Sequence, residues 1–368
     1  MTPAATVAIS RNGQSYGGAV TPEPTADITV PGRADITRAA ERIAGKVRRT
    51  PVIDYRPDDL RLDLTLKLEL LQHAGSFKPR GAFNTVLAQI EAGHRPAVLV
   101  AASGGNHGMA VAYVGHALGI PTEIFVPATA PVIKVDAIRR YGAHVTLAGA
   151  HYAEAFAASA EAAARPDRLA VHAYDSATTV AGQGTIAVEL AAQADVDTVV
   201  VAVGGGGLIG GIAAWCADPD GGGARRAKVV GVEPTSCPTM NQALAAGEPV
   251  DVEVSGVAAD ALGARRLGAH PFAAVTAAAV QSVLVRDEQI IAARRRLWAD
   301  LRLSVEPAAA AGLAALVSGA YQPEPGERIA VVICGANADP SDLSPSELAG
   351  RAPARPGRGR ARPGRRSG

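Results

Sequence analysis

The sequence predicts an α/β fold in two parts, each an open, twisted, mostly parallel sheet flanked by helices. Three observations carry this expectation. Strand-like and helix-like runs alternate with short loops between them, the pattern of parallel sheets covered by helices. Apolar strands such as VVVAV and AVVI lack the alternation of a half-exposed sheet, so both faces are covered. The 368 residues, 48% of them apolar, suffice for about two such units.

Taken in order, residues 1–33 mix Gly, Pro, Thr and Ser without periodicity and read as a disordered lead-in. The segment DITRAAERIAGKV then sets Ile36, Ala40, Ile43 and Val47 at helical spacing, with Asp35 as the candidate cap. Strands are expected at Leu64–Glu69, Ala97–Ala101, Thr122–Phe125, His144–Leu147, Thr198–Val203, Lys228–Val232, Ser282–Val285 and Ile329–Ile333. Helices are expected at Pro79–Ala92, Asn106–Leu118, Ala130–Tyr141, Ala153–Ala164, Thr185–Gln193, Leu208–Ala217, Asp287–Asp300 and Pro307–Ser318. Residues 346–368, rich in Pro, Ala, Gly and Arg, cannot form a core and read as a disordered tail.

Lys and Arg total 36 against 35 Asp and Glu, a net charge of +1. Seven Arg and no acid lie in 351–368, which leaves residues 1–350 at −6. A mildly acidic body argues against binding a phosphate backbone, so no nucleic-acid partner is expected. Cys216, Cys237 and Cys334 fit no disulfide or CxxC spacing and read as reduced thiols of a cytoplasmic protein. The first residues lack a charged n-region and a long apolar run, so they do not form a signal peptide. The longest uncharged run, Thr198–Ala217, holds six glycines and reads as strand, loop and helix rather than as a membrane span. There are only five lysines, which leaves few candidates for amine chemistry.

The strongest local signal is VVVAVGGGGLIGGIAAW, where an apolar strand runs through Gly204, Gly205, Gly206 and Gly207 into a helix opening at Leu208. Four residues without Cβ let backbone amides converge on one anion, and the helix N-terminus adds its dipole. Phosphate is the natural ligand. The loop also satisfies G-x-G-x-x-G at Gly205, Gly207 and Gly210, with Glu233 placed 23 residues beyond Gly210, as in a dinucleotide fingerprint. An NAD-binding oxidoreductase therefore stands as a second reading of this segment, and a tight structural turn as a third.

In GSFKPRGAFNTV, Lys78 precedes Pro79, a residue favoured in the first helical turn, so Lys78 sits at a positive helix end with Arg80 two residues on. Both features should lower its pKa and supply the neutral amine that Schiff-base chemistry requires. A plain surface lysine is the bland alternative. A second strand–loop–helix, AASGGNHGMAVAYVGHALG, turns at Ser103, Gly104, Gly105, Asn106 and His107. Its amides can hold a carboxylate and the Asn106 amide can bond a phenolic oxygen; the bland alternative is a Gly-Asn turn. Walker A, G-x-S-x-G and HExxH patterns are absent, and the eight histidines show no metal-ligand spacing. His73, His94 and His116 read as surface or packing residues.

A reactive lysine with one phosphate loop and one carboxylate loop suits pyridoxal 5′-phosphate. The chain resembles the threonine/serine dehydratases of the fold-type II pyridoxal-phosphate enzymes, related in fold to the tryptophan synthase β chain. The likeness runs from about Ile36 to Asp339. It is carried in family order by RTPV (Arg49–Val52), LKLELLQHAGSFKPRGAFN (Leu66–Asn84), SGGNHGMAVA (Ser103–Ala112), GQGTIAVE (Gly182–Glu189), VGGGGLIGGIA (Val203–Ala213), GVEP (Gly231–Pro234), VEPAAAAGLAAL (Val305–Leu316) and VVICGAN (Val331–Asn337).

The resemblance implies that Lys78 forms the Schiff base and moves the Cα proton, that Phe77 packs beside the ring and that Asn106 bonds the ring hydroxyl. It implies that Gly204–Gly207 and Leu208 hold the phosphate and that Cys334 faces the pyridine nitrogen, with Glu306 approaching the same side. A neutral partner at that nitrogen weakens the electron sink and favours β-elimination. The substrate carboxylate would dock on Ser103–His107, and the β-hydroxyl would leave with help from the phosphate. Threonine would give 2-oxobutyrate and serine pyruvate, each with ammonia; 3-hydroxyaspartate or a hydroxyectoine-derived substrate is the alternative within the class. The resemblance further implies a small domain at 97–175 inserted in a large one of 34–96 plus 176–345, and a homodimer or homotetramer. It implies the short, catabolic type, because the large C-terminal regulatory domain of the biosynthetic deaminases has no counterpart here.

Three positions depart from the family pattern. Racemase members carry a second serine where this chain has Gly104, which argues against serine racemase activity. Metal-binding members place an Asp six residues after the Glu of GVEP; Glu233 is present but that position is Thr239, so a divalent cation at Glu233 is left open. The usual Ala-Asp-Gly segment reads Ala259-Asp260-Ala261-Leu262-Gly263.

Overall fold

The computed structural model describes residues 28–57, 62–130, 132–217 and 227–343. The expected lead-in up to residue 27, and the Arg-rich tail, lie outside the described residues. In chain order the first elements are α1 (Arg33–Arg42), β1 (Val52–Tyr55), β2 (Leu64–Lys67), α2 (Pro79–Glu91), β3 (Val98–Ala102), α3 (Asn106–Leu118) and β4 (Thr122–Val126). Next come α4 (Val132–Arg139), β5 (His144–Leu147), α5 (Tyr152–Ala163), β6 (Arg168–Ala170), α6 (Ala177–Ala191), β7 (Thr198–Ala202), α7 (Gly207–Cys216) and β8 (Lys228–Pro234). The last are α8 (Thr239–Ala246), α9 (Ala259–Leu262), α10 (Ala269–Ala277), β9 (Gln281–Val285), α11 (Asp287–Leu301), α12 (Pro307–Val317) and β10 (Ile329–Val332).

Six strands form one sheet in the order β1-β2-β10-β7-β8-β9, with β1 antiparallel to β2 and the rest parallel. Four form a second, all-parallel sheet in the order β5-β4-β3-β6. The central strands β7 and β10 are buried along their whole length, as their unbroken apolar runs require. The polyalanine face of α12, Ala308–Leu316, is buried behind them. All eight expected strands are present. The two further strands, β1 (VIDY) and β6 (RLA), are short sheet edges with exposed positions, so they carry no apolar run to read.

Among the helices, α1 starts at Arg33 rather than at an Asp35 cap. Asp35 is its third residue, and its carboxylate accepts the N–H of Gly32. Helix α6 starts at Ala177, well before the expected Thr185, with the Ser176 hydroxyl accepting the Thr179 N–H. Its Gly- and Thr-rich first half has weak helix propensity but serves packing. A Cβ on Gly182 would lie 2.6 Å from Gly81 Cα in α2, and one on Gly211 in α7 would lie 2.4 Å from the Gly184 nitrogen. Helix α6 is thus a spine against which α2 and α7 are both pressed. Helix α2 also sends Ala82, Phe83 and Val86 into the core of the four-stranded sheet, so it packs against both halves of the chain. Helices α8, α9 and α10 are additional to those the sequence pattern predicts. No described helix is long and apolar enough to cross a membrane.

Beneath the start of α2 lies a buried ion network. The Arg80 guanidinium is fully buried and donates to both oxygens of Glu69 at 2.7 and 2.8 Å and of Glu189 at 2.8 and 2.9 Å. Lys67, also fully buried, donates to Glu189 at 2.7 Å, to Gln193 at 2.8 Å and to the Thr50 carbonyl at 2.8 Å. Two cations and two carboxylates balance, so no net charge is buried. Replacing Arg80 by Leu would strand Glu69 without its partner. We expect a loss of about 3–5 kcal/mol of stability, read as a lowered midpoint in denaturant unfolding; an unchanged midpoint would disprove the dependence.

Candidate active site

Both sheets reverse direction at a point that faces the same cleft. In the large sheet the chain builds outward from β7 through β8 to β9, then returns to the other side of β7 as β10. In the small sheet it runs outward from β3 through β4 to β5, then returns beside β3 as β6. Ligands of open α/β sheets bind outside the carboxyl ends of strands at such switch points. The four loops concerned carry Gly204–Gly207 after β7, Cys334 after β10, Ser103–His107 after β3 and Ala173–Tyr174 after β6.

Lys78 sits where these loops meet. It is the N-cap residue of α2, with Pro79 opening the helix. Its amine donates to the Ala173 carbonyl at 2.9 Å and lies 5.1 Å from the centre of the Phe77 ring. Among the described residues, no carboxylate pairs with it. Lys46 is exposed, Lys67 is spent in the buried network, Lys134 pairs with Asp260, and Lys228 lies on Tyr321. Burial pushes the Lys78 pKa down to about 8. Arg80, expected to help depress it, does not do so: its guanidinium is turned into the ion network and its charge is met by Glu69 and Glu189.

The glycine loop is packed too tightly for any side chain. A Cβ on Gly205 would lie 2.3 Å from the Tyr174 ring, and Gly206, at φ 93°, would place one 2.6 Å from Pro271. Among the described residues, the N–H groups of residues 204–209 donate to no backbone carbonyl, although residues 206–209 are buried. Buried amides without acceptors are rare. Here they converge at the N-terminus of α7 and form a cradle for an anion. Glu233 does not serve as the ribose-binding acid of a dinucleotide site. Its two oxygens accept the N–H groups of Met240 and Asn241 at 2.6 and 2.8 Å, capping α8, and burial raises its pKa to about 7. The Thr239 hydroxyl, at the position where metal-binding relatives would carry an acid, donates to the Ala264 carbonyl. No group of three or more His, Cys, Asp or Glu suited to a metal occurs among the described residues.

The second loop is narrower than expected. The Ser103 N–H belongs to the sheet, donating to Phe125, and the Gly105 N–H is taken by the Ser103 hydroxyl. The His107 ring bonds the Val171 carbonyl at 2.8 Å, and burial pushes its pKa down to about 3. The N–H groups of Gly104, Asn106 and His107 are left for a ligand. The Asn106 amide donates to both oxygens of Glu306 at 2.9 Å. Glu306 is buried against Gly335, and its pKa is raised to about 7 by that burial. Burial also raises the Cys334 thiol, which stays protonated.

The sequence points to these residues but not to their supports. Tyr174 roofs the glycine loop. Leu262 in α9 backs Gly204, with its Cα 3.0 Å from where a Cβ would be. Asp260 of α9 reaches Lys134 of α4 across the cleft, which gives the divergent Ala259–Gly263 segment a place if not a signature. The donor set fits a phosphorylated aromatic aldehyde: a half-buried amine of lowered pKa for the aldehyde, unclaimed backbone amides for the phosphate, and the Asn106 amide, which here rests on Glu306, for a ring oxygen.

The sequence matches the family described as "pyridoxal-phosphate dependent enzyme" over residues 43–335. L-threonine ammonia-lyase of Geobacter sulfurreducens is 35% identical over 312 residues, covering 84% of this chain and 76% of that protein. Among solved structures, maize serine racemase superposes with a TM-score of 0.79 at 30% identity, covering 87% of this chain and 98% of that one. The processed form of threonine deaminase isoform 2 from Solanum lycopersicum superposes with a TM-score of 0.76 at 28% identity, covering 87% and 95%.

With a pKa of about 8 instead of the usual 10.5, about a tenth of Lys78 is neutral at pH 7, against roughly one part in three thousand for an ordinary lysine. The rate at which the apoprotein captures pyridoxal phosphate at Lys78 should therefore rise with pH and level off above about 8. A rate still climbing tenfold per unit beyond pH 9 would contradict the buried, depressed amine.

Proposed function

The chain belongs to the pyridoxal-phosphate dependent enzymes, and from that premise we propose that it is a lyase releasing ammonia and a 2-oxo acid from L-threonine, and from L-serine. The observation that carries this reading is Lys78: half-buried at the meeting of both sheets' switch loops, its amine rests on the Ala173 carbonyl and, among the described residues, on no carboxylate. Residues 97–175, which hold the small sheet, serve as a domain inserted in the larger one.

When bound, pyridoxal phosphate supplies an electron sink for charge developing at the substrate Cα. The N–H groups of Gly204–Gly207 and Leu208 would bind its phosphate, Phe77 would pack beside its ring, and the Asn106 amide would bond its ring oxygen. The Cys334 thiol, kept neutral by burial, would face the ring nitrogen and would leave it uncharged. The N–H groups of Gly104, Asn106 and His107 bind and orient the substrate carboxylate. Lys78 Nζ removes the Cα proton, and its neutral form is the one that can accept it. Glu306, whose carboxyl titrates near neutrality, would exchange a proton on the same side of the cofactor as Cys334. In net terms the Cα proton and the β-hydroxyl leave together as water, and one water then replaces the amino group, giving ammonia with 2-oxobutyrate from threonine or pyruvate from serine.

The face opposite Lys78 has no acid at Gly104. Racemisation needs a proton donor there; elimination does not. General acid–base assistance is worth roughly 10²–10⁴-fold, so elimination should outrun racemisation by about that margin. Chiral analysis of serine left after partial turnover should show almost only the L form. Substantial D-serine would point to another acid on that face. Gly104→Ser should raise D-serine formation, because an added Cβ meets only Ala130 and Val126, each at 3.8 Å.

Lys78→Ala should abolish both 2-oxo acid release and the visible absorbance of the bound cofactor. Retention of either would remove Lys78 from its role. Release of 2-oxo acid from neither threonine nor serine by the unaltered protein would overturn the substrate assignment.

A further inference from the structure

Asn337, the last residue of the VVICGAN segment, makes two hydrogen bonds that no part of the proposed mechanism uses. Its Nδ2 donates to the Ala74 carbonyl at 2.8 Å and to the Asn106 Oδ1 at 2.7 Å. Asn106 Nδ2 in turn donates to Glu306. The contacts form a relay: Ala74 C=O, Asn337, Asn106, Glu306.

The polarity of this relay is set at its Ala74 end. A backbone carbonyl can only accept, so Asn337 must present its NH₂ toward Ala74. That NH₂ can only donate to Asn106, so Asn106 must present its oxygen to Asn337 and its own NH₂ to the cleft. The two Glu306 oxygens accept from that NH₂, which agrees with the same orientation. A free asparagine side chain would show either end of its amide.

The backbone is shaped to hold Asn337 there. Ala74 and Gly75 both adopt left-handed conformations, at φ 56° and 70°. A Cβ on Gly75 would lie 2.5 Å from Asn337 Oδ1. The Ala336 N–H donates to the Gly75 carbonyl at 2.9 Å, and Ser76 pairs with Gly335. The segment leading to Lys78, the end of the strand leading to Cys334, and the Asn106 loop are therefore joined at one carboxamide.

We propose that Asn337 is a positioning residue that orients the Asn106 amide, so that a donor and not an acceptor faces the cofactor ring oxygen. The proposal rests on the reading that Asn106 contacts the cofactor. Without Asn337, the Asn106 amide can rotate and offer its oxygen to another oxygen, which repels rather than binds.

A double-mutant cycle on the holoenzyme tests this, read by the pyridoxal phosphate dissociation constant and by the pH titration of its visible band. Asn337→Ala should weaken cofactor binding about fivefold to tenfold, the scale of one lost hydrogen bond, and should shift the band's titration in the same direction as Asn106→Ala. In the Asn106→Ala background, Asn337→Ala should weaken binding no further. Equal weakening in both backgrounds would make Asn337 a local staple of the 74–75 turn and overturn the proposal, as would no weakening in either. Should Asn106→Ala itself leave affinity and band unchanged, the reading of Asn106 fails and takes the proposal with it. Asn337→Asp keeps the shape and removes both donors; it carries the same expectation if the alanine variant does not fold.

Discussion

The buried pairing of Arg80 with Glu69 and Glu189 is the contact on which the site depends. It joins the segment after β2, the first turn of α2 and the last turns of α6. A guanidinium fork satisfied by two carboxylates has little freedom to shift, because any displacement breaks charge-assisted bonds in a medium that offers no water in exchange. Lys78 lies two residues before Arg80, so the position of its backbone is fixed from below. The glycine contacts Gly81–Gly182 and Gly184–Gly211 extend that fixed point along α6 to α7 and its anion cradle.

Removal from water also sets the chemistry of the cleft. The same cause lowers the Lys78 amine to about 8 and lifts the Glu306 carboxyl to about 7, and it raises the Cys334 thiol. Desolvation always disfavours the charged form, so it drives an acid and a base in opposite directions on the pH scale. The outcome is a site whose ionisable groups approach neutrality together, near the pH at which proton transfer between them costs least.

Much of this is legible in the sequence, for physical reasons that differ by residue. The central strands can be read because burial on both faces demands unbroken apolar runs. Lys78 can be read from its neighbour Pro79, and the cradle from four glycines in a row. Edge strands β1 and β6 cannot, since exposure relaxes their composition. The N-terminal half of α6 is hidden because Gly182 and Gly184, poor helix formers, are there for close packing. Proximity along the chain suggests that Arg80 acts on Lys78, yet its partners come from 11 and 109 residues away. Tyr174, Asp260 and Asn337 act through contacts of the same long-range kind, which no local pattern announces.

The tight seating of the glycine loop constrains how this protein can change over evolutionary time. Three elements close off the four glycines: α9 closes off Gly204, Tyr174 closes off Gly205 and Gly207, and Pro271 of α10 closes off Gly206. A side chain gained at one of these positions must be matched by a smaller residue at Tyr174 or by a shift of a helix. Those elements form a single inherited block, and drift within it has to be correlated. Gly104, where a Cβ would meet Ala130 and Val126 only at ordinary contact distance, stands outside the block; the stereochemical habit of the enzyme is therefore the freer character, able to diverge while the cradle stays as it is.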